Sequence, residues 1–315
     1  MRCLALASAL CDNDTKGIFV TNADAAQSVP DLAASGYDCV VCDSNNDKGF
    51  TDLLGAVDWV IIDGYQFDRP YEKWCRTWSK KVCVIDDFPD RRHDCDLLIN
   101  QNIPTLDNHK VNGAMALFGP RYALLRREFS ALRTKALKSR ISKPHVPKRI
   151  LVACGTMDPD NLTNQILNGI AASEVAVEVD VVLGLSAPHV NDVTDRLAMM
   201  PGKTRLHLST TDMAGLMARA DIGIGGAGIT SWERCCLGLP SLIVQMADNQ
   251  AAIYSELTTA EAGLPIGDLS TLSADRIAAG LKRLIRDSEL YARISRNAAS
   301  LCDGDGLSRV AEHFS

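Results

Sequence analysis

The chain has 315 residues, 46% hydrophobic and 23% charged, a size and balance that suit a globular protein of two domains. Thirty-three basic against 39 acidic residues leave a net charge of -6, which offers no electrostatic footprint for nucleic acid or an anionic membrane. A mean hydropathy of -0.02 and the lack of a long apolar run exclude a membrane span.

The first element, "MRCLALASAL", reads as an apolar helix already under way, with no strand ahead of it. Its single arginine, short alanine-rich core and the following Asp12 and Asp14 lack the build of a secretory signal. Short apolar runs then recur as "GIFVT", "YDCVVCD", "DWVIID", "KVCVIDD" and "CDLLIN". Their Val, Ile and Cys content predicts parallel strands covered on both faces, with helices such as "VPDLAASG" and "RPYEKWCRTWSK" between them. The basic, proline-bearing stretch 134–148, "TKALKSRISKPHVPK", reads as a linker. A second series follows, "RILVACG", "VEVDVVLG", "TRLHLS", "ADIGIGG" and "PSLIVQ", interleaved with helices and closed by a helical tail over 273–315. The pattern predicts two Rossmann-like, doubly wound α/β domains, 1–140 and 148–315, with the ligand expected in the cleft between them. The first strand of the N-terminal domain is expected to be missing, and that domain to be less stable for it.

The 11 cysteines are odd in number and lack framework spacing, which predicts reduced, buried thiols in a cytoplasm. Cys39 and Cys42 fall on opposite faces of a strand, so they make neither a redox pair nor a metal clamp. No His, Cys and Asp set has metal-ligand spacing, and no cofactor is implied.

Two turns are candidates for anion binding. In "ILVACGTMDPDN", Gly155 lets the backbone approach a ligand, Thr156 adds a hydroxyl, and a helix beginning near Asp160 or Asn161 offers unpaired N–H groups. An ordinary β–α turn with an Asx cap fits that stretch equally well. In "DIGIGGAGITSWERCCLGLP", Gly225, Gly226, Ala227 and Gly228 leave room for a phosphate at a helix amino terminus. Neither G-x-G-x-x-G spacing nor a P-loop lysine is present, which disfavours dinucleotides and ATP. Glu233, one turn into that helix, suits a ribose diol or merely complements the dipole. In "MADNQ", Asp248 and Asn249 are good N-caps, and Asn249 is also a candidate sugar contact. In the first half, "VIIDGYQFD" ends a strand on Asp63 and Tyr65, and "VIDDFPDRRHDCDLLINQN" supplies Asp86, Asp87 and His93. His93 is a tempting base, but its charged neighbours predict a solvated loop.

Taken together, "MRCLALA", "VIIDGY", "IDDFPDRRHDCDLLINQN", "FGPRYALLRREF", "CGTMDPDN", "GGAGITSWERCCLGLP" and "MADNQ" resemble the signature blocks of pseudaminic acid pathway hydrolases, in order along nearly the whole chain. That family, UDP-2,4-diacetamido-2,4,6-trideoxy-β-L-altropyranose hydrolase, has a fold similar to GT-B glycosyltransferases. The resemblance implies cleavage of the C1–O bond by water with inversion, giving UDP and the free sugar without a metal. By position it implies that Gly155, Thr156, Asn161, Gly226, Ala227, Gly228 and Ser231 surround UDP and that Glu233 holds the ribose. Tyr65, Arg126 and Asn249 would approach the sugar or the attacking water, with Asp63 in support. The implied partners are the UDP-activated diacetamido-trideoxy sugar and water, and the oligomeric state is not legible. In the family a G-x-G-H loop carrying the base precedes "MRCLALA"; this sequence has no such loop, and none of His93, His109, His145, His189, His207 and His313 stands in its place. The expectation is weak or no hydrolysis by the chain as written, with three explanations open: a longer cellular protein, a catalytically dead UDP-sugar binder, or another base such as His93. A GT-B glycosyltransferase acting on a UDP-amino sugar is the alternative enzyme.

Overall fold

A computed structural model describes residues 1–11, 15–23, 26, 30–42, 49–88, 91–102, 113–141 and 146–314. Two compact units emerge: Met1–Arg126 with Asp305–Ser315, and Arg127–Gly304.

The first unit holds β1 (Ile18–Thr21), β2 (Asp38–Val41), β3 (Val57–Asp63), β4 (Ser79–Ile85), β5 (Leu97–Asn100) and β6 (Met115–Phe118). The last four form a parallel sheet in the order β3-β4-β5-β6, while β1 and β2 pair with each other. Strand alternation sorts β4 between two cores. Cys83 and Ile85 pack with Ala5 and Leu6 of the helix Arg2–Leu10, whereas Val82 and Val84 pack with Cys75 and Leu98. Cys39 is exposed on β2, contrary to the expected burial.

The second unit holds β7 (Arg149–Ala153), β8 (Glu178–Leu183), β9 (Thr204–Leu208), β10 (Ile222–Gly226), β11 (Ser241–Gln245) and β12 (Leu264–Asp268). All six run parallel in the order β12-β11-β10-β7-β8-β9. Ile150, Val152, Ile222, Ile224, Leu242 and Val244 share one face and one core with the helices Leu162–Ala172 and Ala274–Arg286. The chain leaves β7 first toward β8 and later crosses to β10 on the other side. The ends of β7 and β10 therefore flank a topological switch point, where open α/β sheets take ligands.

The units run differently from the expected 1–140 and 148–315. Residues 134–141, read as the start of a linker, belong to one helix, Arg127–Ile141, of the second unit. Two basic residues of this helix, Arg133 and Arg140, close the carboxyl ends of other helices. Arg140, 3% exposed, donates from Nη1 to Leu237 O at 2.5 Å and from Nη2 to the carbonyls of Met217, Ala218 and Ala220 at 2.6, 3.2 and 2.8 Å. Arg133 donates to Cys236, Cys302 and Ala299 carbonyls at 2.5, 2.9 and 2.7 Å. These carbonyls lie at or next to the ends of the helices Met213–Arg219, Thr230–Cys236 and Ser288–Leu301, where unpaired acceptors and the negative dipole end favour a cation. The tail also divides: Leu307 and Val310, on the helix Gly306–Ala311, belong to the core around Leu6 in the first unit.

Replacing Arg140 by Met removes these donors while keeping much of the side-chain volume. The expected loss is about 2–4 kcal/mol of unfolding free energy, since several buried carbonyls lose their partner. Urea denaturation of the two proteins measures it.

Candidate functional site

Because β7, β10 and β11 are adjacent and parallel, the blocks that follow them come to the same sheet edge. Gly155 and Thr156 leave β7, Gly226–Gly228 leave β10, and Met246–Gln250 leave β11. Gly155 takes φ 95° with open space where a side chain would stand, and Thr156 is exposed beside the end of β8, accepting the Gly184 N–H at 2.8 Å.

The two helix starts at this edge differ. Asp158 caps the helix Leu162–Ala172, its carboxylate accepting from Leu162 N and Thr163 N at 2.9 Å each. The unpaired N–H groups expected there are therefore partly taken, and a buried carboxylate repels a phosphate. Asn161 precedes that helix at φ 51°, its buried Oδ1 without a hydrogen-bond partner among the described residues. The helix Thr230–Cys236 has no side-chain cap, and the N–H groups of Gly228, Ile229 and Thr230 meet no acceptor among the described residues. Ala227 is tied back to Val244 O at 2.9 Å. Ser231, expected to face a ligand, is 1% exposed, and its Oγ accepts from Arg234 Nη2 at 2.9 Å. Glu233 is half-buried in the first turn of this helix. Asn249 is exposed in a 3₁₀ turn. Its neighbour Gln250 lies against the glycine run instead, with Oε1 fixed by Met246 N–H at 3.0 Å and Nε2 beside Gly228.

In the first unit, Asp63 and Tyr65 join a second network at the ends of β3, β4 and β5. Asp63 grips the Arg2 guanidinium at 3.0 and 2.6 Å, and the other side of that guanidinium meets both Asp87 oxygens at 2.9 Å. Tyr65 donates to Asp87 Oδ2 at 2.9 Å and Asn102 to Asp87 Oδ1 at 2.6 Å. Burial pushes the Asp63 pKa up, but the Arg2 hydrogen bonds and charge outweigh it and hold the carboxyl below its ordinary range. Burial and the Asp87 charge raise the Tyr65 phenol to about 12, so it stays protonated as a donor. Arg126 is half-buried at the end of the unit's first segment.

His93 departs from the expected solvated loop. It is 4% exposed, with Nδ1 at 2.6 Å from Glu72 Oε1 and Nε2 at 3.0 Å from Asp86 Oδ2. The surrounding charges are spent on one another: Arg91 pairs with Asp86 at 3.1 Å and Arg76 with Asp94 at 2.7 Å. Burial alone lowers the imidazole pKa, but the hydrogen bonds and charges of Asp86 and Glu72 outweigh it and raise it to about 9. A protonated ring gripped at both nitrogens is a clamp, not a general base. His109 and His145 lie outside the described residues.

The fold that carries these sites is of GT-B type, two Rossmann-like α/β units. MurG of Acinetobacter baumannii matches over 99% of this chain and 94% of its own at a TM-score of 0.73 and 14% identity. The UDP-GlcNAc 2-epimerase of Neisseria meningitidis, solved bound to UDP-GlcNAc, matches over 99% and 97% at 0.66 and 14%. At that identity the likeness is one of fold. Among curated proteins, the uncharacterised protein MJ1062 of Methanocaldococcus jannaschii is 29% identical over 266 residues, 81% of this chain and 54% of the relative. The spore coat polysaccharide biosynthesis protein SpsG of Bacillus subtilis is 29% identical over 196 residues, 61% and 56%. The chain thus spans about half the length of the curated relatives it matches. No family model matches it.

The side chains that sequence reasoning missed are Arg2, Glu72, Arg234 and Gln250. Arg234 and Gln250 lay inside blocks already singled out for ligand contact, whereas Arg2 and Glu72 did not. The His93 cluster yields a pH signature. Because the folded pKa lies above the ordinary 6.5, its stabilisation is full below about pH 6.5 and is lost as pH rises through about 9. His93→Gln should therefore cost stability on the order of 2–3 kcal/mol near pH 6, a gap that narrows toward pH 9.5 in urea titrations.

Proposed function

We propose that the chain binds a UDP-activated amino sugar through the glycine turn after β10 and acts on the bond between the anomeric carbon and the diphosphate. The observation that carries this reading is the run of N–H groups at Gly228, Ile229 and Thr230 that meet no acceptor among the described residues, beside small residues at the switch point of a GT-B sheet. Such donors suit a diphosphate in the ground state and, as the C1–O bond breaks and UDP leaves with the electron pair, the charge that grows on it. Glu233 is assigned to the ribose hydroxyls, and Gly155 and Thr156 to the flank of the nucleotide. Gln250 and Asn249 are assigned to the sugar side.

The glycosyl group then passes to an acceptor oxygen, which gives up a proton to a base. Transfer to a hydroxyl is the broader reading, supported by the GT-B likeness and by a relative named for polysaccharide biosynthesis. Hydrolysis of UDP-2,4-diacetamido-2,4,6-trideoxy-β-L-altropyranose is the narrower one, supported by the ordered sequence blocks. It needs a base for water, and His93, protonated and held from both sides, does not supply it. Asp63, Tyr65 and Arg126 are assigned to the sugar or acceptor. A cytoplasmic setting suits 11 free cysteines, and no helix among the described residues is long and apolar enough to cross a membrane.

Calorimetry with UDP tests the reading directly: saturable binding is expected, and no heat up to millimolar nucleotide would overturn it. Glu233→Ala should weaken UDP about tenfold or more while leaving affinity for the 2′,3′-dideoxy nucleotide unchanged. Incubation with UDP-sugars, with and without hydroxyl acceptors, separates transfer from hydrolysis by the appearance of free sugar.

A further inference from the structure

The glycine strand β10 is shaped around a residue that no motif singled out. Arg234, 3% exposed, reaches back along the helix Thr230–Cys236, and its Nη2 donates to Gly226 O at 2.7 Å and Ser231 Oγ at 2.9 Å. Gly223 and Gly225 clear the face on which it lies. A Cβ on Gly223 would come within 2.8 Å of Ser241 Oγ and 3.1 Å of Arg234 Cδ, and one on Gly225 within 2.2 Å of Ala153 O and 2.9 Å of Arg234 Nη1.

The placement is electrostatically odd. The other deeply buried arginine of this unit, Arg140, sits on carbonyls at helix carboxyl ends, where a cation belongs. Arg234 has no ion pair among the described residues, and its guanidinium lies toward the amino end of its helix, where the dipole is already positive. Burial pulls its pKa down, but a guanidinium starts so high that it stays charged. The Glu233 charge acts on it from the same helix, but Arg234 has no ion-pair contact among the described residues, and an anion at the turn in front of it would complete its neutralisation.

We propose that Arg234 is a positioning residue whose fixed charge, exerted through the Gly226–Gly228 turn, sets the affinity of that turn for the diphosphate of a nucleotide. The proposal rests on reading the turn as a nucleoside-diphosphate site. It assigns Arg234 no contact with the ligand: the hydrogen bonds to Gly226 O and Ser231 Oγ hold the turn, and the charge biases it toward anions.

The test compares UDP with uridine, which lacks the phosphates, on the wild-type chain and on Arg234→Gln and Arg234→Lys, each checked for folding by near-UV circular dichroism. Calorimetry reads UDP and ligand-observed NMR reads uridine. Arg234→Gln should cut UDP affinity about tenfold or more and leave uridine within about twofold, whereas Arg234→Lys, which keeps the charge, should hold the UDP-to-uridine ratio within about threefold. A merely structural arginine would weaken both ligands together or neither. If the wild-type chain does not bind UDP, the underlying reading fails. If it binds UDP and folded Arg234→Gln keeps the ratio, only the role of Arg234 fails. Should Arg234→Gln not fold, Arg234→Lys decides, and a collapsed ratio there overturns the proposal.

Discussion

Parallel pairing of β7 with β10 is the constraint from which the candidate site follows. It joins the first strand of the second unit to the fourth, so stretches some seventy residues apart finish at the same edge. Two helix starts then stand side by side with opposite character. One is closed by the Asp158 carboxylate, and the other is open and backed by the Arg234 guanidinium. An anion is repelled by the first and drawn to the second, so the sheet defines a direction as well as a place.

The same economy of charge governs the interior elsewhere. Arg133 and Arg140 serve helix carboxyl ends, His93 is gripped by two carboxylates, and Arg2 joins Asp63 to Asp87. Residues that a composition count assigns to solvent are structural here because each finds partners far along the chain.

That distance explains what was legible in the sequence. Strands such as Val82–Ile85 announced themselves because two-sided burial demands an unbroken apolar run. β6, "MALF", lacks β-branched residues, and β12, "LPIGD", carries Pro265 and Gly267, so neither reads as a strand by local preference. The helix 127–141 hid in a basic stretch because the carbonyls it caps lie at Met217 and beyond. The loops of the site were visible as glycine and Asx clusters; the inward turn of Ser231 was not. Gly225 looked like ligand clearance, whereas its missing side chain makes room for the Ala153 carbonyl and for Arg234. His93 misled for a related reason, since its partner Glu72 sits 21 residues upstream on another element.

The return of Leu307 and Val310 to the core around Leu6 bears on how the protein is made. The second unit is one continuous stretch, while the first needs residues from both sides of it. Residues 305–314 follow the whole of 127–304 along the chain, so the core around Leu6 needs residues made after the second unit. Until then the cluster of Leu6, Ile85 and Leu97 lacks the apolar contribution of Leu307 and Val310, and exposed apolar surface of that kind is what chaperones shield.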